Sequence, residues 1–155
     1  LATAIDVGDA LDIHPKDKET VGKRLAENAL VQDYGLRIKV DAPKLVKSVF
    51  SGNGEAVLYF SSRFKPVASG IKINSFTAAG EDGQFFPANA ILSGNKIFLK
   101  SEKVLNLKYV RFGWANNPGK LTLYGENGRP LLPFRTDRLP LLTAANSFKF
   151  DPFSF

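Results

Sequence analysis

His14 is the only histidine in this 155-residue chain, and two carboxylates, Asp12 and Asp9, stand two and five positions before it. Imidazole takes and returns a proton near neutral pH, and a carboxylate beside it fixes its tautomer and stabilises the imidazolium. Such a pair supplies the base and the orienting acid of a catalytic triad, with the nucleophile still to be found. Spacing alone leaves a second role open, in which His14 caps the following helix and the two aspartates are ordinary loop acids. The chain has no cysteine, which excludes thiolate nucleophiles, disulfides and thiolate metal sites. A single histidine likewise excludes a histidine-rich metal site, so neither a metal nor a cofactor is expected. None of the serines, such as Ser48, Ser61, Ser62 or Ser75, stands in a glycine-rich nucleophile turn.

Two elements must position the histidine loop. Residues 2–7 read as a short strand ending at Gly8, which puts residues 9–14 at the carboxyl edge of a parallel sheet, where α/β folds assemble ligand sites. From Pro15 to about Tyr34 the period becomes helical, with Pro15 in the first turn, Asp17 and Glu19 at the positive end of the dipole, and Gly35 as the stop. Val21, Leu25 and Ala29, flanked by Ala26, Leu30 and Tyr34, form an apolar stripe. Glu19, Lys23 and Glu27 are spaced for ion pairs on the polar side. One strand and one helix cannot bury that stripe between them, so residues 1–35 must dock on a larger body.

After a linker over 36–44, the helical period does not return. Short strands are predicted over 45–50, 55–61, 71–78, 84–86, 96–100, 108–115 and 121–124, separated by turns rich in Gly and Asn. The fold class is therefore mainly β, an antiparallel β-sandwich over 37–155, preceded over 1–36 by a strand–loop–helix unit. Phe148, Phe150, Phe153 and Phe155 at the end suggest a last strand or a docking tail. The net charge of +6 is uneven: residues 1–44 carry 7 basic and 8 acidic side chains, residues 45–155 carry 14 and 7. The lysines stand singly (Lys47, Lys72, Lys96, Lys100, Lys103, Lys108), as on solvated strand faces, and not in clusters interleaved with stacking aromatics. No nucleic-acid partner is expected. There is no apolar run of membrane-spanning length and no leader sequence; a start at Leu1 without any methionine reads as a processed or excised piece of something longer.

The run Ile5-Asp6-Val7-Gly8-Asp9, then Asp12-Ile13-His14-Pro15, Lys18, Val21-Gly22-Lys23-Arg24-Leu25-Ala26 and Tyr34-Gly35 resembles the last block of the sialate O-acetylesterase family. These are carbohydrate esterases of the SGNH hydrolase superfamily. Gly80 to Ala88, Val110 to Pro118 and Leu132 to Asp137 resemble that family's C-terminal β-domain, so the likeness runs from about Ala2 to Asp137. The resemblance implies a serine esterase acting on acetylated glycans at an extracellular, periplasmic or cell-surface location. In it His14 is the base and Asp12 the orienting acid. The usual superfamily spacing would put the acid at position 11, which is Leu11 here, so Asp9 is the alternative acid and a Ser-His dyad stays open. The serine, glycine and asparagine blocks of an SGNH fold have no counterpart in the chain. The implied partner is the N-terminal SGNH portion of the same protein, and the chain alone is not expected to hydrolyse anything.

The alternative function is a non-catalytic carbohydrate-binding or interdomain β-sandwich module. Trp114, the only tryptophan, either stacks on a sugar or contacts the hydrolase portion from a strand end, or it lies in the core. The alternation Val110, Phe112, Trp114 favours the core. Arg111 and Arg135 could clamp a carboxylate, but are read as holding an interdomain contact with Asp137. Glu81 and Asp82 are read as the solvated acids of a hairpin turn.

Overall fold

The structure, a computed structural model, describes residues 2–14 and 16–140. One helix, α1 (Lys18–Gln32), precedes eight strands: β1 (Leu45–Phe50), β2 (Glu55–Phe60), β3 (Phe76–Ala79), β4 (Phe86–Pro87), β5 (Asn89–Ser93), β6 (Lys96–Lys100), β7 (Tyr109–Phe112) and β8 (Phe134–Arg135). They form two four-stranded sheets, ordered β1-β2-β6-β5 and β4-β3-β7-β8, with every pairing antiparallel. The expected β-sandwich is what the chain folds into.

The pleat explains which side of each sheet is inside. In β2, Ala56, Leu58 and Phe60 are buried while Glu55, Val57 and Tyr59 point outward, and in β6 Ile97 and Leu99 are buried between outward Lys96, Phe98 and Lys100. The other sheet contributes Phe76, Ala78, Val110 and Phe112 to the same core. Phe60, Phe64, Phe76, Phe112 and Phe134 meet there with ring centroids 4.8–6.3 Å apart, so the aromatics bond the two sheets through their edges and faces. Lys47, Lys72, Lys96, Lys100, Lys103 and Lys108 are all exposed, as their single placement predicted.

The departures from expectation have local causes. Residues 2–7 form a turn closed by Val7 N–H on the Ala4 carbonyl at 3.1 Å, not a strand, because no strand lies beside them among the described residues to complete a ladder. Residues 121–124 bury Leu121 and Leu123 but make no ladder. Tyr124 bridges only to Pro130, which has no N–H to offer. β5 escapes the sequence pattern because Ile91 sits on its solvent side, which spoils the polar–apolar alternation. The segment 71–78 contributes strand only from Phe76, since Ser75 takes a left-handed φ of 68°. Helix α1 begins at Lys18, capped by Asp17, whose carboxylate accepts from Thr20 N–H at 2.9 Å and from the Thr20 hydroxyl at 2.7 Å. Its end closes as expected at Gly35, with Leu36 N–H donating back to the Leu30 carbonyl at 2.9 Å. The expected role of Pro15 and the Phe148–Phe155 tail lie outside the described residues.

The hairpin between β1 and β2 turns on Gly54, with φ of +72° and a backbone so close to its neighbours that a Cβ there would lie 2.4 Å from the Ser101 carbonyl oxygen and 2.7 Å from that of Val104. Those oxygens are backbone and cannot swing away. Gly54→Ala is expected to cost about 2–4 kcal/mol and to lower the midpoint of thermal unfolding by roughly 5–15 °C. An unchanged midpoint would show that this turn can relax.

Candidate active site

Helix α1 reaches the sandwich through charge. Its only buried side chain is Arg24, which donates to both carboxylate oxygens of Asp6 at 2.6 and 2.8 Å and to the Thr3 carbonyl at 2.8 Å. The Tyr124 phenol stands beside Asp6, the two lining one groove. Burial opposes the charged form of Asp6, but the hydrogen bonds and charge of Arg24 outweigh it and hold the carboxyl below the usual range. Burial, and then the Asp6 charge, push the Tyr124 phenol up. One turn further on, Glu27 pairs with Arg129, and not with Lys23 as the helical spacing suggested. Asn127 donates to the carbonyls of Lys39 and Asp41 at 3.1 and 2.9 Å, which straps the linker to the same hairpin.

The stripe expected to be buried behaves differently. Val21 and Ala29 are half-buried, while Leu25, Ala26, Leu30 and Tyr34 are exposed. The polar cluster of Arg24 and Glu27 draws the adjacent face onto the sandwich and turns the rest of the apolar stripe outward. Sequence reasoning gave Arg24 no role, since an arginine counts as surface in any apolar pattern. Its place between Val21 and Asn28 on one helical face was the available signal.

Docking of α1 carries the histidine loop with it. Asp12 accepts from the His14 backbone N–H at 2.8 Å, and the same oxygen lies 3.2 Å from His14 Nδ1. The imidazole therefore has Nδ1 turned to a carboxylate and Nε2 turned away, the arrangement in which Nε2 can accept a proton. Asp9 is occupied elsewhere: it accepts from Leu11 N–H at 3.0 Å and lies 3.6 Å from Lys16 Nζ. Among the described residues no serine hydroxyl hydrogen-bonds His14, whose side chain is 77% exposed. Leu11 and Ile13 beside it are 97% and 90% exposed, an unusual display of aliphatic surface next to a candidate base.

The arginines and tryptophan of the β-part form a second cluster. Arg111 grips the fully buried carboxylate of Asp137 at 2.7 and 2.8 Å and stacks on Phe85. Arg135 lies 3.5 Å from Asp137, donates to the Leu139 carbonyl at 2.9 Å and covers Trp114 at 5.5 Å. Hydrogen bonds from Arg111 hold the Asp137 carboxyl low against its burial. Both arginines thus brace Asp137 within the sandwich itself. Trp114 does not join the core: it is 45% exposed, because Gly113 takes φ of +60° after β7 and breaks the alternation that would have carried the ring inward. Glu81 pairs with Lys108 at 3.2 Å and Asp82 accepts from Gln84 N–H at 3.2 Å, so each acid of that turn has its own partner. No group of three metal-ligating side chains occurs among the described residues.

No family model matches the chain, and no curated protein matches it. The crystal structure of a carbohydrate acetylesterase from Xanthomonas citri is similar to it, with a TM-score of 0.78 and 37% sequence identity, covering 86% of this chain and 31% of that one. The chain thus spans under a third of the length of that protein. At this identity the likeness goes beyond the fold, and the chain is related to a carbohydrate esterase.

The Asp6 carboxyl is depressed in the folded chain, so its contribution to stability is present above about pH 4 and is lost as pH falls through the lowered value. Asp6→Asn leaves Arg24 buried beside a neutral amide and should cost about 3–5 kcal/mol of helix docking at neutral pH. The helical circular-dichroism signal followed against temperature from pH 7 to pH 3 should show a lower midpoint and a shallower acid dependence in the variant. An identical acid dependence would mean that Asp6 is not the titrating anchor.

Proposed function

We propose that the chain is the C-terminal part of a serine carbohydrate O-acetylesterase of the sialate O-acetylesterase type. Residues 1–36 belong to its SGNH hydrolase domain, and residues 37–155 form an accessory β-sandwich. The observation that carries this reading is the His14–Asp12 pair, with Nδ1 on a carboxylate at 3.2 Å and no hydrogen-bond partner on Nε2 among the described residues. The relation to a carbohydrate esterase supports it, as does the bare apolar surface of Leu11, Ile13, Leu25 and the Tyr34 ring, which suits a cover supplied by the rest of the hydrolase domain.

In this reading a serine from that domain lies against His14 Nε2. The imidazole takes the hydroxyl proton as the oxygen attacks the acetyl carbonyl, and Asp12 stabilises the imidazolium. The proton then passes to the departing sugar oxygen, leaving an acetyl-serine. Water enters, loses a proton to His14 and releases acetate, restoring the serine. No cofactor takes part, and the location implied by the resemblance is extracellular, periplasmic or cell-surface.

In the full-length protein His14→Ala is expected to lower acetyl release from an acetylated glycan by at least about 10³-fold with the fold intact. Asp12→Asn should cost roughly 10²–10⁴-fold, and Asp9→Asn no more than a few-fold. Loss on Asp9→Asn with Asp12→Asn neutral would reverse the choice of acid; full activity in His14→Ala would overturn the esterase reading.

A further inference from the structure

We infer that the β-sandwich carries its own binding cleft for a neutral oligosaccharide, with Trp114 as its platform, and that this cleft runs on toward the His14 loop. Trp114, Phe85, Asp82 and Asn116 line a groove of about 810 Å³. A second groove of about 860 Å³ lies between residues 4–10 and the 113–121 loop, and the two share Gly113, Ala115, Asn116 and Pro133. The two grooves thus adjoin along those four residues, with the indole lining one and the Asp9 loop the other.

The chemistry of the Trp114 groove fits a sugar chain. An exposed aromatic face receives the apolar C–H side of a pyranose, while amides and carboxylates on the rim pair with hydroxyls. Trp114 offers such a face, and the exposed Asn116 amide has no hydrogen-bond partner among the described residues. The charges lining the Trp114 groove balance, one guanidinium, Arg111, against one carboxylate, Asp82. A ligand without net charge is favoured by that balance, whereas an anionic chain would meet the Asp82 carboxylate.

The platform is also held in place before any ligand arrives. Gly113 N–H donates to the Ser75 carbonyl at 3.0 Å, the Ser75 hydroxyl donates to the Pro118 carbonyl at 2.7 Å, and Asn74 donates to the Lys120 carbonyl at 2.9 Å. Ser75 keeps a left-handed φ to make these contacts, a cost that serves to fix the loop beneath Asn116 and Trp114. The binding site itself is independent of the esterase reading; only its continuation toward His14 as a substrate path rests on that reading.

Because Trp114 is the only tryptophan, its fluorescence reports this site alone. The 155-residue chain should be titrated with xylo- and cello-oligosaccharides of one to six units, and with galacturonate oligomers for comparison. We expect a saturable change in emission with neutral oligomers and tighter binding as the oligomer lengthens. Asn116→Ala should weaken binding roughly tenfold. By calorimetry Trp114→Ala should abolish it and Trp114→Phe should retain it, which separates loss of the platform from loss of the fold. No saturable change with any neutral oligomer, or a response confined to galacturonate and erased by salt, would overturn the proposal. Binding that persists in a full-length protein with no esterase activity would refute the esterase reading and leave the site standing.

Discussion

The Arg24–Asp6 ion pair is the contact on which the arrangement of this molecule turns. It joins the helix to the chain segment before it, beside Tyr124 of the sandwich, and it does so where both charges are almost wholly out of water. Removing either partner alone would strand the other, which makes the pair a stronger constraint on geometry than on net stability. Residues 7–14, including Asp9, Asp12 and His14, lie outside helix and strand between its two members, which tie the stretch at both ends. The loop itself has little else to hold it, since Leu11, Ile13 and His14 are largely in solvent.

A second constraint acts at the far side of the same interface. Gly113 ends β7 with a left-handed turn, and the side chain of Ile5 packs where its Cβ would be, so the turn that exposes Trp114 also receives the N-terminal segment. The loop over 113–121 is thus shared between the sandwich and the residues that precede the helix. Two arginines on one aspartate lie next to it, and of these Arg111 reaches the groove, where Asp82 balances it.

Much of this was legible in the residues. The strands at 45–50 and 96–100 follow from short apolar runs next to turns rich in Gly and Asn, and the lysines on the outer sheet face follow from their isolation. The proximity of His14 to Asp12 could be read from two positions of spacing, because an aspartate two residues back also finds the backbone N–H of His14. What escaped depends on partners distant in sequence. Trp114 reads as core until one knows that Gly113 leaves the pleat, and Glu27 reads as a mate for Lys23 until Arg129 arrives from 102 positions away. Residues 2–7 read as a strand because their composition suits one, but a ladder needs a neighbour. The buried member of α1 was hidden by its own polarity.

The anchors of α1 also set an order of events during synthesis. Arg129, Tyr124 and Asn127 all lie on the 124–130 hairpin, near the end of the described chain, whereas the helix, the linker and the histidine loop they hold lie in its first third. A helix of this length is marginal in isolation, so while the chain emerges from a ribosome its first third stays without a fixed seat until that hairpin has been made and folded. The last stretch of the sandwich to appear therefore acts as a latch on the earliest, and a chain cut short before it would keep its helix sequence but lose the place where that helix belongs.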